Sequence, residues 1–200
     1  MKRLAIVTGA TSGIGRAVAT NLARNGARVL ATGRNKDALK RLEHDAQCHV
    51  VAADLTHDGE CERVVQKAVD TLGGLTTLVN CAGVLQPGAM GAGATLANFK
   101  FNFQGNVQNA FEMMEHAIPH LKAAGVEAGP CIVNVSSVNG LQSFGGVATY
   151  CAAKAALDML CRCAAVDLAP FGIRCNNVNP GLVLTELQKR GGLNDEQYEA

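Results

Sequence analysis

Short apolar runs alternate with helix-length segments from one end of the chain to the other, and this alternation restricts the fold more than any other feature. The apolar runs fall at 4–7, 28–31, 49–53, 77–80, 131–135 and 174–178. Several are continuous rather than alternating in polarity, as expected for strands buried on both faces of a parallel sheet. Between them lie segments 13–25, 36–45, 58–72, 97–123 and 148–169, each long enough for a crossover helix. Strict β-α alternation predicts a doubly wound parallel α/β sheet in a single domain covering 1–200. No linker, internal repeat or sustained heptad interrupts it. The Gly/Ala-rich stretch 87–94 reads as a loop, and Pro119 is expected to kink or shorten the helix over 97–123.

With 200 residues, 48% of them hydrophobic and 18% charged, the chain has the composition of one globular domain with a sizeable core. A net charge of +1 gives no electrostatic case for nucleic acid or an anionic membrane. No apolar run approaches the length of a membrane span, and the run after Lys2 and Arg3 is too short for a signal peptide. Eight cysteines raise the question of disulfides or metal. Cys48, Cys81, Cys131 and Cys175 lie in or beside strand-like runs, and Cys61, Cys151, Cys161 and Cys163 lie in helix-like ones. With no Cys-x-x-Cys pair, a metal site has no support. The cysteines read as small buried hydrophobes in a reducing, cytoplasmic compartment.

Two groups of residues carry chemistry. The first strand runs into Thr8-Gly9-Ala10-Thr11-Ser12-Gly13-Ile14-Gly15, and a helical pattern follows. Glycines there permit a tight turn and a close approach of backbone to ligand, while the helix offers free N–H groups to a phosphate. No Gly-Lys-Ser/Thr follows, so this is not a P-loop. The second group is Ser137, Tyr150 and Lys154. Tyr150 and Lys154 are four residues apart in an alanine-rich stretch, which stacks them on one helix face. An ammonium beside a phenol favours the phenolate, so Tyr150 is expected to give up its proton readily. A serine hydroxyl aimed at the same point holds a carbonyl oxygen, and the three together protonate a developing alkoxide.

The spacing Gly-x-x-x-Gly-x-Gly and the order Ser…Tyr-x-x-x-Lys resemble the short-chain dehydrogenases/reductases. Asn80-Cys81-Ala82-Gly83 is similar to that family's Asn-Asn-Ala-Gly motif, with Cys81 in place of its second Asn. Asp54-Leu55 after the third strand and Asn179-Pro180-Gly181 with Val183 and Thr185 after the sixth also match in order. The resemblance implies a Rossmann-like fold and hydride transfer between a nicotinamide cofactor and a carbonyl or alcohol, with a lean toward 3-oxoacyl reductases. It implies cofactor contacts from Gly9, Thr11, Ser12, Gly13, Ile14, Gly15, Asp54, Leu55, Asn80, Ala82, Gly83, Tyr150, Lys154, Pro180, Gly181, Val183 and Thr185. Ser137 and Tyr150 would meet the substrate. An asparagine would complete a proton relay with Ser137, Tyr150 and Lys154. Asn106 fits that place by its spacing to Pro119, and Asn102 is the alternative. The resemblance also implies a homodimer or homotetramer, and a final strand and substrate-covering segment beyond residue 200. The chain is therefore expected to be truncated at its C-terminus.

The end of the second strand bears on the choice of dinucleotide. An acid there would hold the adenosine ribose and repel a 2′-phosphate; this chain has Gly33 and then Arg34. A guanidinium is a bidentate phosphate partner, so NADP(H) is expected over NAD(H). Arg16, in the first helical turn, either helps or is solvated. A catalytically silent NADP-binding regulatory or scaffold protein on the same fold is the competing reading, separated by turnover of a small ketone or quinone with NADPH.

Overall fold

The computed structural model describes residues 2–187. Six strands form one parallel sheet: β1 (Leu4–Val7), β2 (Arg28–Gly33), β3 (His49–Ala52), β4 (Thr77–Asn80), β5 (Cys131–Val135) and β6 (Arg174–Val178). Their order is β3-β2-β1-β4-β5-β6, the doubly wound arrangement of dinucleotide-binding folds. Six helices connect them: α1 (Gly13–Arg24), α2 (Lys36–Ala46), α3 (Glu60–Leu72), α4 (Leu96–Phe103), α5 (Asn109–Ala123) and α6 (Ala148–Leu168).

The continuous apolar runs are explained by burial on both faces. In β1, Ala5 and Val7 face one core with Val29, Ala31 and Val79, while Ile6 faces the other with Leu30, Leu78 and Ile132. Helix α1 contributes Ala19 and α2 contributes Leu42 to the first core; α3, α5 and α6 close the second with Val64, Met113 and Cys161. Alternate residues of a strand point to opposite faces, so a strand covered on both sides has no polar position to spare.

The helix expected over 97–123 is two α-helices joined by a π-helical turn at Gln104–Gln108. Pro119 does not shorten α5, which runs on to Ala123. Pro119 and Glu115 lie on the exposed face, where solvent satisfies the carbonyl that loses its helical partner. The discontinuity falls instead at Asn106, whose side chain leaves the helix for the segment after β4.

Candidate active site

A cavity of about 740 Å³ opens at the C-terminal ends of β1, β4, β5 and β6, where the sheet order reverses. One wall is the turn between β1 and α1. Gly9 has φ +63, and a Cβ there would lie 2.8 Å from the Ala82 backbone nitrogen. A Cβ on Gly15 would lie 2.4 Å from the Gly9 carbonyl oxygen, so the first turn of α1 packs directly on the loop. Thr8 ties this turn to the neighbouring one: its Oγ1 accepts from the backbone N–H groups of Cys81 and Ala82, both at 3.0 Å. Helices α2 and α4 have side-chain caps from Asn35 and Thr95, whereas Ser12 makes no side-chain cap on α1. No acid stands in the first turn of α1 either, so its N–H groups and positive end are left for an anion.

Just after β2, Arg34 lines the cavity with 61% of its side chain exposed. Its guanidinium is 3.8 Å from Asp54 Oδ2, a long, solvated ion pair that costs little to break. Burial acts to raise the Asp54 pKa. Hydrogen bonds from the Thr56 hydroxyl and N–H, with Arg34 beside them, outweigh it and hold the carboxyl below its ordinary value. Arg16 is turned away, 3.9 Å from Asp45.

The proton-handling group stands on α6 and the end of β5. Helix α6 has no interior proline or glycine and buries Tyr150, Ala153, Lys154, Leu157, Asp158 and Cys161, a stripe of helical period. Tyr150 and Lys154 are only 5% and 4% exposed, and both line the cavity with Ser137. Ser137 caps a short 3₁₀ turn (Val138–Gly140), where its Oγ accepts from the Asn139 N–H at 3.1 Å. Lys154 Nζ donates to the Val135 carbonyl at 3.0 Å and lies 5.7 Å from the Tyr150 ring centre.

The expectation of a readily ionised phenol is corrected by this geometry. Burial raises the Tyr150 pKa, and the adjoining Ser137 hydroxyl only partly opposes it. Burial also lowers Lys154 to about 8, against the pull of Asp158. Desolvation disfavours the charged form of each, and the ammonium is committed to a carbonyl.

Two expected site residues do not line the cavity. Asn80 is buried beneath it and donates to Asn134 Oδ1 at 3.0 Å, because its side chain belongs to the layer under the strand ends. Asn106 stands just behind the wall in the π-helical turn: Nδ2 donates to Val84 O and Asn102 O, both at 2.8 Å, and Oδ1 accepts from Val84 N. A Cβ on Gly83 would be 2.9 Å from Asn106 Oδ1 and 3.7 Å from Lys154 Nζ, so these two side chains approach the same glycine. Asn102 bonds Gln86 and Thr149 instead. Every other expected position lies on the cavity wall, including Thr11, Ser12, Gly13, Ile14, Leu55, Gly83, Pro180, Gly181, Val183 and Thr185. Leu85, Pro87, Val138, Asn139, Phe144 and Leu182 line it too and had no motif to mark them.

Fold and cavity define a nucleotide-binding protein of the Rossmann class. Residues 3–195 match the model of the short chain dehydrogenases, and the chain belongs to that family. It is 33% identical over 191 residues to the uncharacterized oxidoreductase YhdF of Bacillus subtilis, covering 92% of this chain but 64% of the relative. The chain thus spans just under two thirds of that protein's length. A solved short-chain dehydrogenase/reductase of unknown function from Caenorhabditis elegans, with cofactor, superposes at TM-score 0.88 and 33% identity over 98% of this chain and 76% of that one. Actinorhodin polyketide ketoreductase with NADPH gives TM-score 0.85 at 29% identity, over 92% and 72%.

Proposed function

We propose that this chain is an NADPH-dependent reductase of ketones or 3-oxoacyl compounds, using Ser137, Tyr150, Lys154 and Asn106. The observation that carries this reading is the convergence of Ser137, Tyr150 and Lys154 on a single cavity with the glycine turn and the uncapped start of α1. The residues present fit the cofactor: Gly9, Gly13 and Gly15 put backbone rather than side chains on the cavity wall, and the open helix end suits a pyrophosphate. Arg34 supports a 2′-phosphate beside the adenosine ribose, and the similar ketoreductase structure contains NADPH.

When bound, NADPH supplies the hydride that reduces the carbonyl carbon. Ser137 donates a hydrogen bond to the carbonyl oxygen and holds it against the phenol. Tyr150 then gives its proton to the oxygen as negative charge develops there. The raised pKa suits this direction, because it keeps the phenol protonated at neutral pH. Lys154 stabilises the phenolate left behind and holds the ribose of the cofactor, while Asn106 bonds Val84 in the segment after β4 and approaches the same Gly83 as the lysine. The exposed apolar groove of Phe99, Phe103, Val107, Phe111, Ala156 and Leu160 supports assembly with a second copy.

Tyr150→Phe retains the ring and removes the proton donor. With NADPH and a panel of ketones, quinones and 3-oxoacyl thioesters, turnover is expected to fall by about 100-fold or more. The NADPH titration, followed by the cofactor's own fluorescence, should be unchanged. Parental turnover in this variant would sink the mechanism.

A further inference from the structure

Lys154 and Asp158 are the charged side chains on the buried stripe of α6, one turn apart. Asp158 is 3% exposed and both its oxygens are used. Oδ1 accepts from Asn177 Nδ2 on β6 at 2.7 Å, and Oδ2 accepts from Asn179 Nδ2 just beyond β6 at 2.9 Å. Asn179 Nδ2 also donates to the Ser137 carbonyl at 2.9 Å. The backbone of the turn after Ser137 presses on the same group: a Cβ on Gly140 would stand 2.4 Å from Asp158 Oδ2.

A carboxylate only accepts, and this gives the surrounding amides a direction. Asn177 turns its NH₂ group to Asp158, which leaves its oxygen for Asn134 Nδ2 at 3.2 Å. The Asn134 oxygen in turn takes Asn80 Nδ2 at 3.0 Å. The chain crosses β6, β5 and β4 and ends at Asn80 Oδ1, a buried oxygen without a hydrogen-bond partner. That orphan is what a one-way chain of amides leaves at its far end when the near end is a pure acceptor.

We propose that Asp158 is a positioning residue whose carboxylate sets the direction of this amide chain and holds Ser137 and the Asn179-Pro180-Gly181 turn against the helix carrying Tyr150 and Lys154. The proposal rests on the catalytic reading of those three side chains. Its negative charge has a second effect, because it opposes the loss of the buried Lys154 proton. The titratable groups facing Lys154 are Asp158 and Tyr150 from α6 and Cys81 from the segment after β4; β5 offers the Val135 carbonyl. Burial pushes the Cys81 thiol up to about 12, and Asp158 acts on the lysine more strongly than Cys81 does.

Asp158→Asn keeps the shape and removes the charge. Lys154 then loses its proton more easily, so the alkaline limb of kcat/KM should move to lower pH by about one unit. kcat should fall about tenfold or more as Ser137 and Tyr150 lose register, with a smaller change in KM for NADPH. Adding Asn177→Asp returns a pure acceptor to the chain and restores every hydrogen bond. This double variant should recover the parental thermal midpoint, with its limb between those of parent and single variant. It also covers the case in which Asp158→Asn alone does not fold. NADPH fluorescence titrated against pH reports the limb without turnover, so a failure of the proposed reduction is told apart from a failure here. A parental limb and kcat in both folded variants would reduce Asp158 to a packing residue and overturn the proposal.

Discussion

Arg34 and Tyr150 show how differently single residues respond to the folded environment. Arg34 keeps most of its side chain in water, so its chemistry is that of a free guanidinium and follows from its position after β2. Its bond to Asp54 is long and exposed, and a phosphate competes with it easily. Arg34→Ala should raise the NADPH dissociation constant about tenfold or more, the loss of one charge-assisted contact, and leave that for NADH unchanged. Equal small effects on both, read by cofactor fluorescence, would remove Arg34 from the cofactor site. Tyr150 is the opposite case. Its spacing to Lys154 was legible in the sequence, but the direction of its pKa depends on burial in the folded chain, which the Ser137 hydroxyl only partly opposes. Burial lowers Lys154 to about 8, so the rate of the proposed reduction, measured against pH, is expected to decline on the alkaline side as the lysine loses its proton.

Among the elements, the β1–α1 turn was the most legible, because its glycines are needed for local reasons. Gly15 has no room for a side chain against the Gly9 carbonyl. Gly15→Ala should cost about 1–3 kcal/mol of stability, as overpacking does, and weaken NADPH binding. A thermal midpoint and a titration at parental values would show that the loop yields freely. The α4–α5 segment was the least legible. Its residues suit a continuous helix, and the π-helical turn arises because Asn106 and Asn102 bond the distant Val84 and Gln86. Proline was the visible breaker in that stretch, yet it lies on the wet face and leaves α5 intact. In α6, an acid four residues after Lys154 in an otherwise apolar stretch was a signal in plain view. Its meaning needed β6 and the turn after it, which supply its partners Asn177 and Asn179.

For the molecule as a whole, the outer faces of α4, α5 and α6 carry exposed Phe99, Phe111 and Met159 around a shallow apolar groove. A second copy is the partner this surface supports. Light scattering is expected to give a dimer or tetramer, and Phe111→Asp should shift it toward monomer without changing the secondary structure. A monomeric parent at micromolar concentration would sink that expectation. The sequence alone determined the parallel α/β class, the place of the glycine turn, and the pairing of Tyr150 with Lys154. Each follows from a period of two, a period of 3.6 or a turn requirement, all properties of neighbouring residues. The tertiary structure decided where Asn106 and Asn102 find their partners, why Asn80 lies beneath the cavity, and which amides meet Asp158. Those outcomes depend on burial and on partners such as Asn80 and Asn134, 54 positions apart in the chain, and no local pattern specifies which buried donor will meet which acceptor.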